Sequence, residues 1–493
     1  MPIGLGLRSN LVKEIRANIG SDVLLDLTGQ SGPPGPTGPV HARLASALRE
    51  AIRRGALPAG STLPPSRALA TELGCSRWVV TEAYAQLTAE GYLAATVGSG
   101  TRVRHLEPTE EPRARVPANA TARPTTTIDM APGLPDLRQF PMRQWMSAVR
   151  GAGATMASTD LGHPDPAGHP RLRQVLADYL ARVRGAQADA ASITITGGAT
   201  DAIGLLCRVL KAHGHTAVAC EDPGWHRLRE VATAAGLTAV PVPVDDQGLR
   251  ADLLPTRAAA RAVIVSPAHQ FPTGVVLSPQ RRVQLLTWAE RHDALIIEDD
   301  YDAEFRYDRR PVGALQGAGK SHVALVGSVT KTLSPALGVG WMTTPPAWTP
   351  PVRAAVVRPP GPPVLDQLAF AEFVRTGGYD RHLRAARIRY RARRDSIVSE
   401  LAEHLPGGRV LGVAAGLHLL LYLASGTDAA AVVSHAATAG VRIANLDTYR
   451  FRSVPGIPGV VLGYGNLADH QVRDAVARLR SAVQAAARSR RVD

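Results

Sequence analysis

The chain has 493 residues, of which 45% are hydrophobic and 20% are charged, and its formal net charge is +14. This length predicts two or three domains. The sequence contains no run of 18 or more apolar residues, so we expect no membrane-spanning helix. The N-terminus lacks the basic and apolar stretches of a secretory signal, and three scattered cysteines offer no disulfide framework, so we expect a cytoplasmic protein. The positive charge is compatible with a polyanionic partner but does not identify one.

The first predicted elements follow an N-terminal extension at residues 1–35. Leu44, Leu48 and Ile52 recur on one face of a predicted helix. The stretch "LPPSRALATELG" predicts a second, short helix, and "CSRWVVTEAYAQLTAEGY" predicts a third, with Ser76 as a plausible N-cap. Two short helices joined by a tight turn containing glycine form a helix-turn-helix, and the following "YLAATVGSGTRV" predicts a hairpin wing.

Residues 36–104 are therefore predicted to read DNA. The third helix carries Arg77, Trp78 and Thr81 near its N-terminus, where a recognition helix meets base edges. Trp78 either packs on a sugar or helps to close the core. The alternative is a dimerisation module whose arginines are merely solvated.

The pattern "LPPSRALATELGCSRWVVTEAYAQLTAEGYL" resembles the winged-helix domain of GntR-family regulators. The resemblance implies an operator in double-stranded DNA as the partner. It also implies contacts with phosphates or bases from two helices, and a wing shaped by glycines. The residues it assigns to DNA binding are Ser66, Arg67, Ser76, Arg77, Thr81, Gly98 and Gly100.

A change of composition separates this segment from the rest of the chain. Residues 105–127 are rich in Pro, Thr and charge without apolar periodicity, which predicts a flexible linker. Over residues 128–493, short β-rich runs such as "SITIT", "AVIVSPA" and "ALIIEDD" alternate with helical stretches. This alternation predicts an α/β fold with a parallel sheet, in which ligands bind at the carboxyl ends of the strands.

Lys331, in "GSVTKTLSP", is unusual for this chain, because only four of its 56 basic residues are lysines. A primary amine condenses with an aldehyde, whereas a guanidinium does so poorly. Ser328 and Thr330 supply hydroxyl groups suited to a phosphate ester. The alternative is a solvent-facing lysine in a loop.

Three further stretches favour a cofactor site. "TGGATDAIGLL" begins a predicted helix at Ala199 and Thr200, whose N–H groups could hold a phosphate. Trp225, in "EDPGW", could stack on a flat heterocycle. Asp299 ends an apolar strand and Tyr301 follows it, so the carboxylate could keep a pyridine nitrogen protonated. No cluster of His and Cys accompanies Asp299 in the sequence, so we expect no metal.

These motifs occur in one order that resembles fold-type I aminotransferases, and more narrowly the MocR (GabR-like) branch of the GntR regulators. The resemblance implies pyridoxal 5′-phosphate as the cofactor, held as an internal aldimine by Lys331. It implies that Asp299 pairs with the pyridine nitrogen, that Tyr301 pairs with O3′ and that Trp225 stacks. Phosphate contacts would come from Ala199, Thr200 and Ser328, and the protein would be a homodimer.

Two positions depart from that branch. Gly338 stands where the branch has a phosphate-binding arginine, which puts cofactor binding in doubt. No arginine lies in the final strand "GVVLGYGNL", so Arg450 and Arg452 are the nearest candidates for binding a substrate carboxylate. His418, in "GLHLLLYL", alternates with apolar residues and is predicted to be a core histidine whose ring nitrogens both have hydrogen-bond partners.

The sequence thus favours a transcription regulator whose aminotransferase-like domain senses pyridoxal phosphate, a small amino compound, or both, and does not act as an enzyme. Two alternatives stay open. One is an active aminotransferase with an appended DNA-binding domain, and the other is a regulator whose body no longer binds the cofactor.

Overall fold

The structure is a computed structural model that describes residues 39–96, 100–105, 128–256, 260–307, 312–356, 361–451 and 456–489. The chain forms two compact units, Met1–Ala122 and Arg123–Asp493. The predicted N-terminal extension, Gly98 and all but the first residue of the predicted linker lie outside the described residues. Among the residues described, no helix is long and apolar enough to cross a bilayer.

The first unit is a small helical bundle with a hairpin. Leu44, Leu48 and Ile52 are buried together against Leu69 and Leu87, as the helical periodicity predicts. The two strands of the hairpin pair antiparallel. The elements are α1 (Val40–Arg53), α2 (Ser66–Glu72), α3 (Arg77–Ala89), β1 (Leu93–Thr96) and β2 (Gly100–Val103).

The second unit is built on an eight-stranded sheet, with a four-stranded antiparallel sheet and a two-stranded parallel pair beside it. Its strands are β3 (Ile128–Asp129), β4 (Ile193–Thr196), β5 (Ala217–Asp222), β6 (Thr238–Asp245), β7 (Gly248–Leu249), β8 (Ala262–Val265), β9 (Leu295–Asp299), β10 (Val323–Ser328), β11 (Gly340–Thr343), β12 (Arg409–Leu411), β13 (His418–Tyr422), β14 (Val441–Arg442), β15 (Ala444–Asn445) and β16 (Gly459–Gly463).

The large sheet has the strand order β4-β11-β10-β9-β8-β5-β6-β7. Its central strands run parallel, while β11 is antiparallel to both of its neighbours and β7 is antiparallel to β6. The central strands β8 and β9 are buried along their whole length, which is typical of a sheet covered by helices on both faces. The prediction of an α/β fold with a parallel sheet is therefore confirmed.

One helix of the second unit has recognisable capping residues at both ends. His169 accepts a hydrogen bond from the Arg171 amide at the start of one helix, which ends at Gly185 in the left-handed conformation. The helices of the second unit are α4 (Met142–Thr155), α5 (Pro170–Arg184), α6 (Ala199–Ala212), α7 (His226–Ala234), α8 (Pro279–His292), α9 (Thr349–Ala354), α10 (Val364–Arg375), α11 (Gly378–His404), α12 (Ala429–Thr438) and α13 (Val472–Ser489).

The topology places the ends of several elements around one point. In the parallel pair of β9 and β10, Asp299 lies level with Val326, so the residues after Ser328 extend past the carboxyl edge of the sheet. Helix α6 starts after β4, and helix α7 starts after β5. The antiparallel sheet contributes the first residue of β13 to the same place.

Candidate functional site

A cavity of about 600 Å³ opens at the carboxyl edge of the large sheet. All seven residues predicted to bind the cofactor lie on its wall, although they come from four separate stretches of sequence. These residues are Ala199, Thr200, Trp225, Asp299, Tyr301, Ser328 and Lys331.

Lys331 lies in the turn that follows β10, and its amine points into the cavity rather than into solvent. Its Nζ donates a hydrogen bond of 2.6 Å to the carbonyl oxygen of Gly133 and lies 6.0 Å from the centre of the Trp225 ring. Burial lowers the pKa of the Lys331 ammonium, and the nearby Asp299 and Asp302 oppose this effect. The reading of Lys331 as a solvent-facing loop lysine is therefore wrong.

Asp299 ends β9 and is fully enclosed at the floor of the cavity. Burial and, after it, the neighbouring Asp300 raise the pKa of its carboxyl group to about 7, although Lys331 opposes them. Within the part of the chain that the structure describes, its Oδ1 has no hydrogen-bond partner. A buried carboxylate oxygen without a partner is costly, so it favours a ligand with a donor group at this point.

Tyr301 belongs to a buried group of polar side chains that its sequence position does not reveal. Its hydroxyl lies 3.1 Å from Nδ1 of His269, and the same nitrogen lies 2.9 Å from Oδ2 of Asp302. Because the carboxylate only accepts, Nδ1 carries the hydrogen, and the hydroxyl hydrogen of Tyr301 is left to point elsewhere. Burial raises the pKa of Tyr301 well above its usual value, so its hydroxyl group stays protonated and can donate.

Trp225 occupies the N-cap position of α7 and forms one aromatic side of the cavity. Phe271 and Tyr449 extend that side, with ring centres 4.9 Å apart in an edge-to-face arrangement. Glu221, in β5, also lines the cavity, and burial raises the pKa of its carboxyl group to about 8. The site thus combines an aromatic wall with several enclosed carboxyl groups.

The N-terminus of α6 forms the predicted phosphate cradle. Ala199 and Thr200 are its first two residues, and the first amides of a helix have no partner within the helix. Ser328, at the end of β10, is buried nearby on the cavity wall.

Gly338, which replaces the expected arginine, lies close to this cradle. It is left-handed, with φ of 57°, and a Cβ built on it would lie 3.9 Å from the carbonyl oxygen of Gly197, with no closer neighbour among the described residues. The space for a side chain therefore exists next to the turn that begins α6, but the positive φ favours glycine.

The prediction that His418 is a core histidine with all its hydrogen bonds made is wrong in part. His418 is buried, as expected for a core histidine, but it lines the cavity, and its Nε2 has no hydrogen-bond partner among the described residues. His269, Asp302 and His418 also bring three potential metal-ligating atoms within 4.8 Å of one another, a grouping that sequence spacing concealed. The hydrogen bond between His269 and Asp302 already occupies two of these groups.

Arg450, one of the two candidates for binding a substrate carboxylate, does not lie on the cavity wall. The guanidinium of Arg450 pairs with Asp447 and donates to the carbonyl of Ile457, while Arg452 lies outside the described residues. Strand β16, where the sequence has no arginine, is buried along its whole length.

In the first unit, the helical residues predicted to bind DNA lie at the starts of α2 and α3. Arg77 begins this helix, and its Nε lies 3.4 Å from the hydroxyl of Ser66, which begins α2. Arg67, Ser76, Arg77 and Thr81 are all exposed. Ser76 occupies the N-cap position, but its side chain makes no capping hydrogen bond.

Trp78 and the wing complete this surface. The side chain of Trp78 is 62% exposed and meets His41 edge to face at 5.3 Å, so it does not close the core. Gly100 begins the second strand of the hairpin with φ of 86°, a conformation that favours glycine.

Two family models match the chain, one for each unit. The model of bacterial regulatory proteins of the gntR family matches residues 41–103, and the model of class I and II aminotransferases matches residues 126–446. Together they cover both the exposed surface around α3 and the cavity around Lys331.

Curated relatives match almost end to end. The pyridoxine biosynthesis transcriptional regulator PdxR of Corynebacterium glutamicum is 33% identical, over 94% of this chain and 99% of that protein. The probable rhizopine catabolism regulatory protein MocR of Rhizobium meliloti is also 33% identical, over 90% of this chain and 94% of that protein.

Solved structures resemble the second unit in fold. Kynurenine aminotransferase of Pyrococcus horikoshii matches with a TM-score of 0.67 and 23% identity, over 73% of this chain and 92% of that one. The α-aminoadipate aminotransferase LysN of Thermus thermophilus matches with a TM-score of 0.65 and 21% identity, over 73% of this chain and 93% of that one. These likenesses extend to the fold alone.

Proposed function

Because the chain belongs to the MocR subfamily of GntR-type transcription regulators, we propose that its aminotransferase-like unit is a sensor and not a working enzyme. In this proposal the unit binds pyridoxal 5′-phosphate, alone or with a small amino compound, at Lys331. The winged-helix unit binds an operator in double-stranded DNA. The observation that carries the proposal is the buried amine of Lys331, which shares a cavity with the unpartnered oxygen of Asp299.

The residues of the cavity fit this cofactor. Pyridoxal phosphate, when bound, supplies an aldehyde that condenses with a primary amine and a ring that acts as an electron sink. The lowered pKa of Lys331 keeps more of its amine in the neutral, nucleophilic form. Oδ1 of Asp299 would accept a hydrogen bond from a protonated ring nitrogen, and the hydroxyl of Tyr301 would donate one to a ring oxygen.

The phosphate would be held without a charged partner at position 338. The amides of Ala199 and Thr200 and the hydroxyl of Ser328 offer neutral donors in place of the missing guanidinium. A hydrogen bond to a charged group contributes about 1.5–3 kcal/mol. The binding free energy of the cofactor should therefore be weaker by about this amount than in a site that has the arginine. A weaker hold suits a regulator, because the protein must release the cofactor to respond to its concentration.

An active transaminase is the less favoured alternative, because it must also orient the carboxylate of its substrate. Among the described residues, no arginine lies in β16, and the guanidinium of Arg450 is paired away from the cavity. The cavity therefore supports binding of an amine better than the two-substrate chemistry of transamination.

We also infer that the protein acts in the cytoplasm as a homodimer on a two-fold symmetric operator. Dimeric helix-turn-helix proteins bind half-sites about one helical turn apart, so a change in the body that alters the spacing of two α3 helices changes affinity. The relative from C. glutamicum is named as a regulator of pyridoxine biosynthesis, which supports cofactor sensing.

The absorption spectrum of the purified chain after incubation with pyridoxal phosphate tests the proposal. We expect a band near the visible edge that survives gel filtration in the wild type and in Lys320→Ala, a change at an exposed lysine. The band should be lost in Lys331→Ala and in Lys331→Arg, since the arginine keeps the charge but not the amine. A wild-type protein that acquires no band, or a Lys331→Arg variant that keeps it, would contradict cofactor sensing at this residue.

A further inference from the structure

His418 offers a bound molecule a hydrogen-bond acceptor that nothing else in the described chain uses. It is the first residue of β13, and its side chain is only 5% exposed. One ring nitrogen bonds the carbonyl oxygen of Pro272, and the other, Nε2, has no partner. Since Nε2 has no partner, the nitrogen bonded to Pro272 is Nδ1. Because a carbonyl oxygen only accepts, Nδ1 carries the hydrogen.

The ring of His418 is neutral, which leaves Nε2 with a bare lone pair. Burial lowers the pKa of His418 well below its usual value, and the positive charge of Lys331 and the neighbouring His269 act in the same direction. Leaving a buried acceptor unpaired costs about 1–3 kcal/mol, so the position favours a ligand that donates a hydrogen bond.

The groups around His418 select against an anion. Asp302, whose carboxylate bonds His269, lines the same wall and presents only acceptors. Phe271 meets the His418 ring at 4.8 Å and contributes an apolar edge. A carboxylate placed here would meet lone pairs and a second negative charge.

The cationic side chains of the cavity, apart from Lys331, lie on the wall formed by α6 and α7. These are Arg208 and Arg229. Arg229 donates hydrogen bonds to the carbonyls of Thr448 and Arg450 and lies over the Phe451 ring, so its guanidinium is already engaged. Arg208, in the third turn of α6, lies close to Gly204 on the same helix.

We propose that the effector sensed beside Lys331 is an amine whose second polar group is a hydrogen-bond donor, a hydroxyl or a further amine, and that Nε2 of His418 accepts from this group. The effector class is thus an amino alcohol or a diamine rather than an amino acid. This inference rests on the proposed function, because it concerns the ligand that joins the cofactor in the same cavity.

Matched ligand pairs test the inference on the full chain loaded with pyridoxal phosphate. Amino alcohols with two to five carbons are titrated against amino acids of equal length, and the change in the cofactor absorption band is followed. We expect half-saturation by the best amino alcohol at a concentration at least about 10-fold lower than by its amino acid partner. An amino acid that saturates at an equal or lower concentration overturns the inference.

Two variants test the role of His418 itself. His418→Leu removes the acceptor and should weaken the best amino alcohol about 5- to 10-fold while leaving the amino acids unchanged. His418→Gln offers a carbonyl oxygen in its place and should restore part of the preference. If His418→Leu binds the amino alcohol as the wild type does, His418 does not read the ligand.

The outcomes separate this inference from the proposed function. The band with cofactor alone and the unfolding temperature report whether each variant is folded and loaded. A wild-type chain without a band overturns the proposed function and this inference with it. A normal band with the opposite ligand preference overturns this inference alone.

Discussion

The two units present their candidate functional residues in opposite environments. Around α3 of the first unit, Arg67, Ser76 and Arg77 are exposed. Around Lys331 of the second unit, Asp299 and Tyr301 are enclosed, and burial shifts their pKa values. An exposed residue contributes to binding by adding a contact, whereas a buried one has already lost its hydration and depends on a ligand to replace it. Substitutions should therefore affect binding alone in the first unit, but both binding and stability in the second.

The largest expected effect is that of Asp299→Asn on cofactor binding. Removing one partner of a buried, hydrogen-bonded ion pair costs about 3–5 kcal/mol, so retention of pyridoxal phosphate should fall about 100-fold or more. Dialysis followed by absorption spectroscopy measures this retention, with the exposed Asp246→Asn as the control. Equal retention in both variants would show that Asp299 does not contact the ring nitrogen.

The same variant should have the opposite effect on the stability of the cofactor-free protein. Burial raises the pKa of this carboxyl group from an ordinary 3.8 to about 7 in the folded chain. Its ionisation therefore destabilises the fold increasingly as the pH rises from about 4 to 7, and fully above 7. Asp299→Asn should raise the free energy of unfolding, by about 1 kcal/mol more at pH 8 than at pH 6. Thermal unfolding at the two pH values checks this, and a gain independent of pH would contradict it.

In the first unit, Arg77→Ala should weaken operator binding without changing stability. A side chain that pairs with a base contributes about 1–3 kcal/mol of discrimination, which corresponds to a loss of about 5- to 150-fold in affinity. Gel-shift titration measures this loss, and Arg182→Ala, at an exposed arginine of the other unit, controls for net charge. If both variants lose the same affinity, Arg77 acts only through its charge.

Gly338→Arg should produce a smaller gain in the second unit. A charge-assisted hydrogen bond to phosphate would add about 1.5–3 kcal/mol, while the left-handed conformation would cost about 1–2 kcal/mol for a residue with a Cβ. Gly338→Ala bears the same strain without the charge, so the strain cancels between the two variants, and we expect the arginine variant to lose the cofactor at least about 10-fold more slowly. No difference between the two variants would mean that position 338 does not reach the phosphate.

Ser76→Ala should have the smallest effect and gives the sharpest test of the difference between the units. Because the Ser76 hydroxyl makes no capping bond, the free energy of unfolding should change by less than about 0.5 kcal/mol. Operator affinity should still fall a few-fold through the lost contact. A loss of about 1 kcal/mol in stability would instead mean that the hydroxyl caps α3 in solution.

The sequence predicted the candidate site best at residues that end a predicted strand or begin a predicted helix and whose type suits one chemical role. Lys331 after β10, Asp299 at the end of β9 and Ala199 at the start of α6 meet in one cavity, because the carboxyl ends of parallel strands share an edge. The architecture of a winged helix followed by an α/β sheet was predictable in the same way.

The sequence could not predict groupings that depend on distant segments. His269, Asp302 and His418 span 150 positions, and alternation within β13 made His418 look like an ordinary core residue. The signal that could have identified His418 is a lone polar residue at the start of a strand, but only the packing of the two sheets reveals which groups face it. Likewise, the pairing of Arg450 with Asp447 follows from loop geometry that periodicity does not describe.

In the proposed function, the cavity around Lys331 controls the binding of DNA by the other unit. The most direct measurement is the dissociation constant for the operator, with and without saturating pyridoxal phosphate, for the wild type and for Lys331→Ala. We expect the cofactor to change the wild-type constant by about 5-fold or more, in line with ordinary coupling free energies, and to leave the variant unchanged. Identical constants for the loaded and cofactor-free wild type would contradict the account.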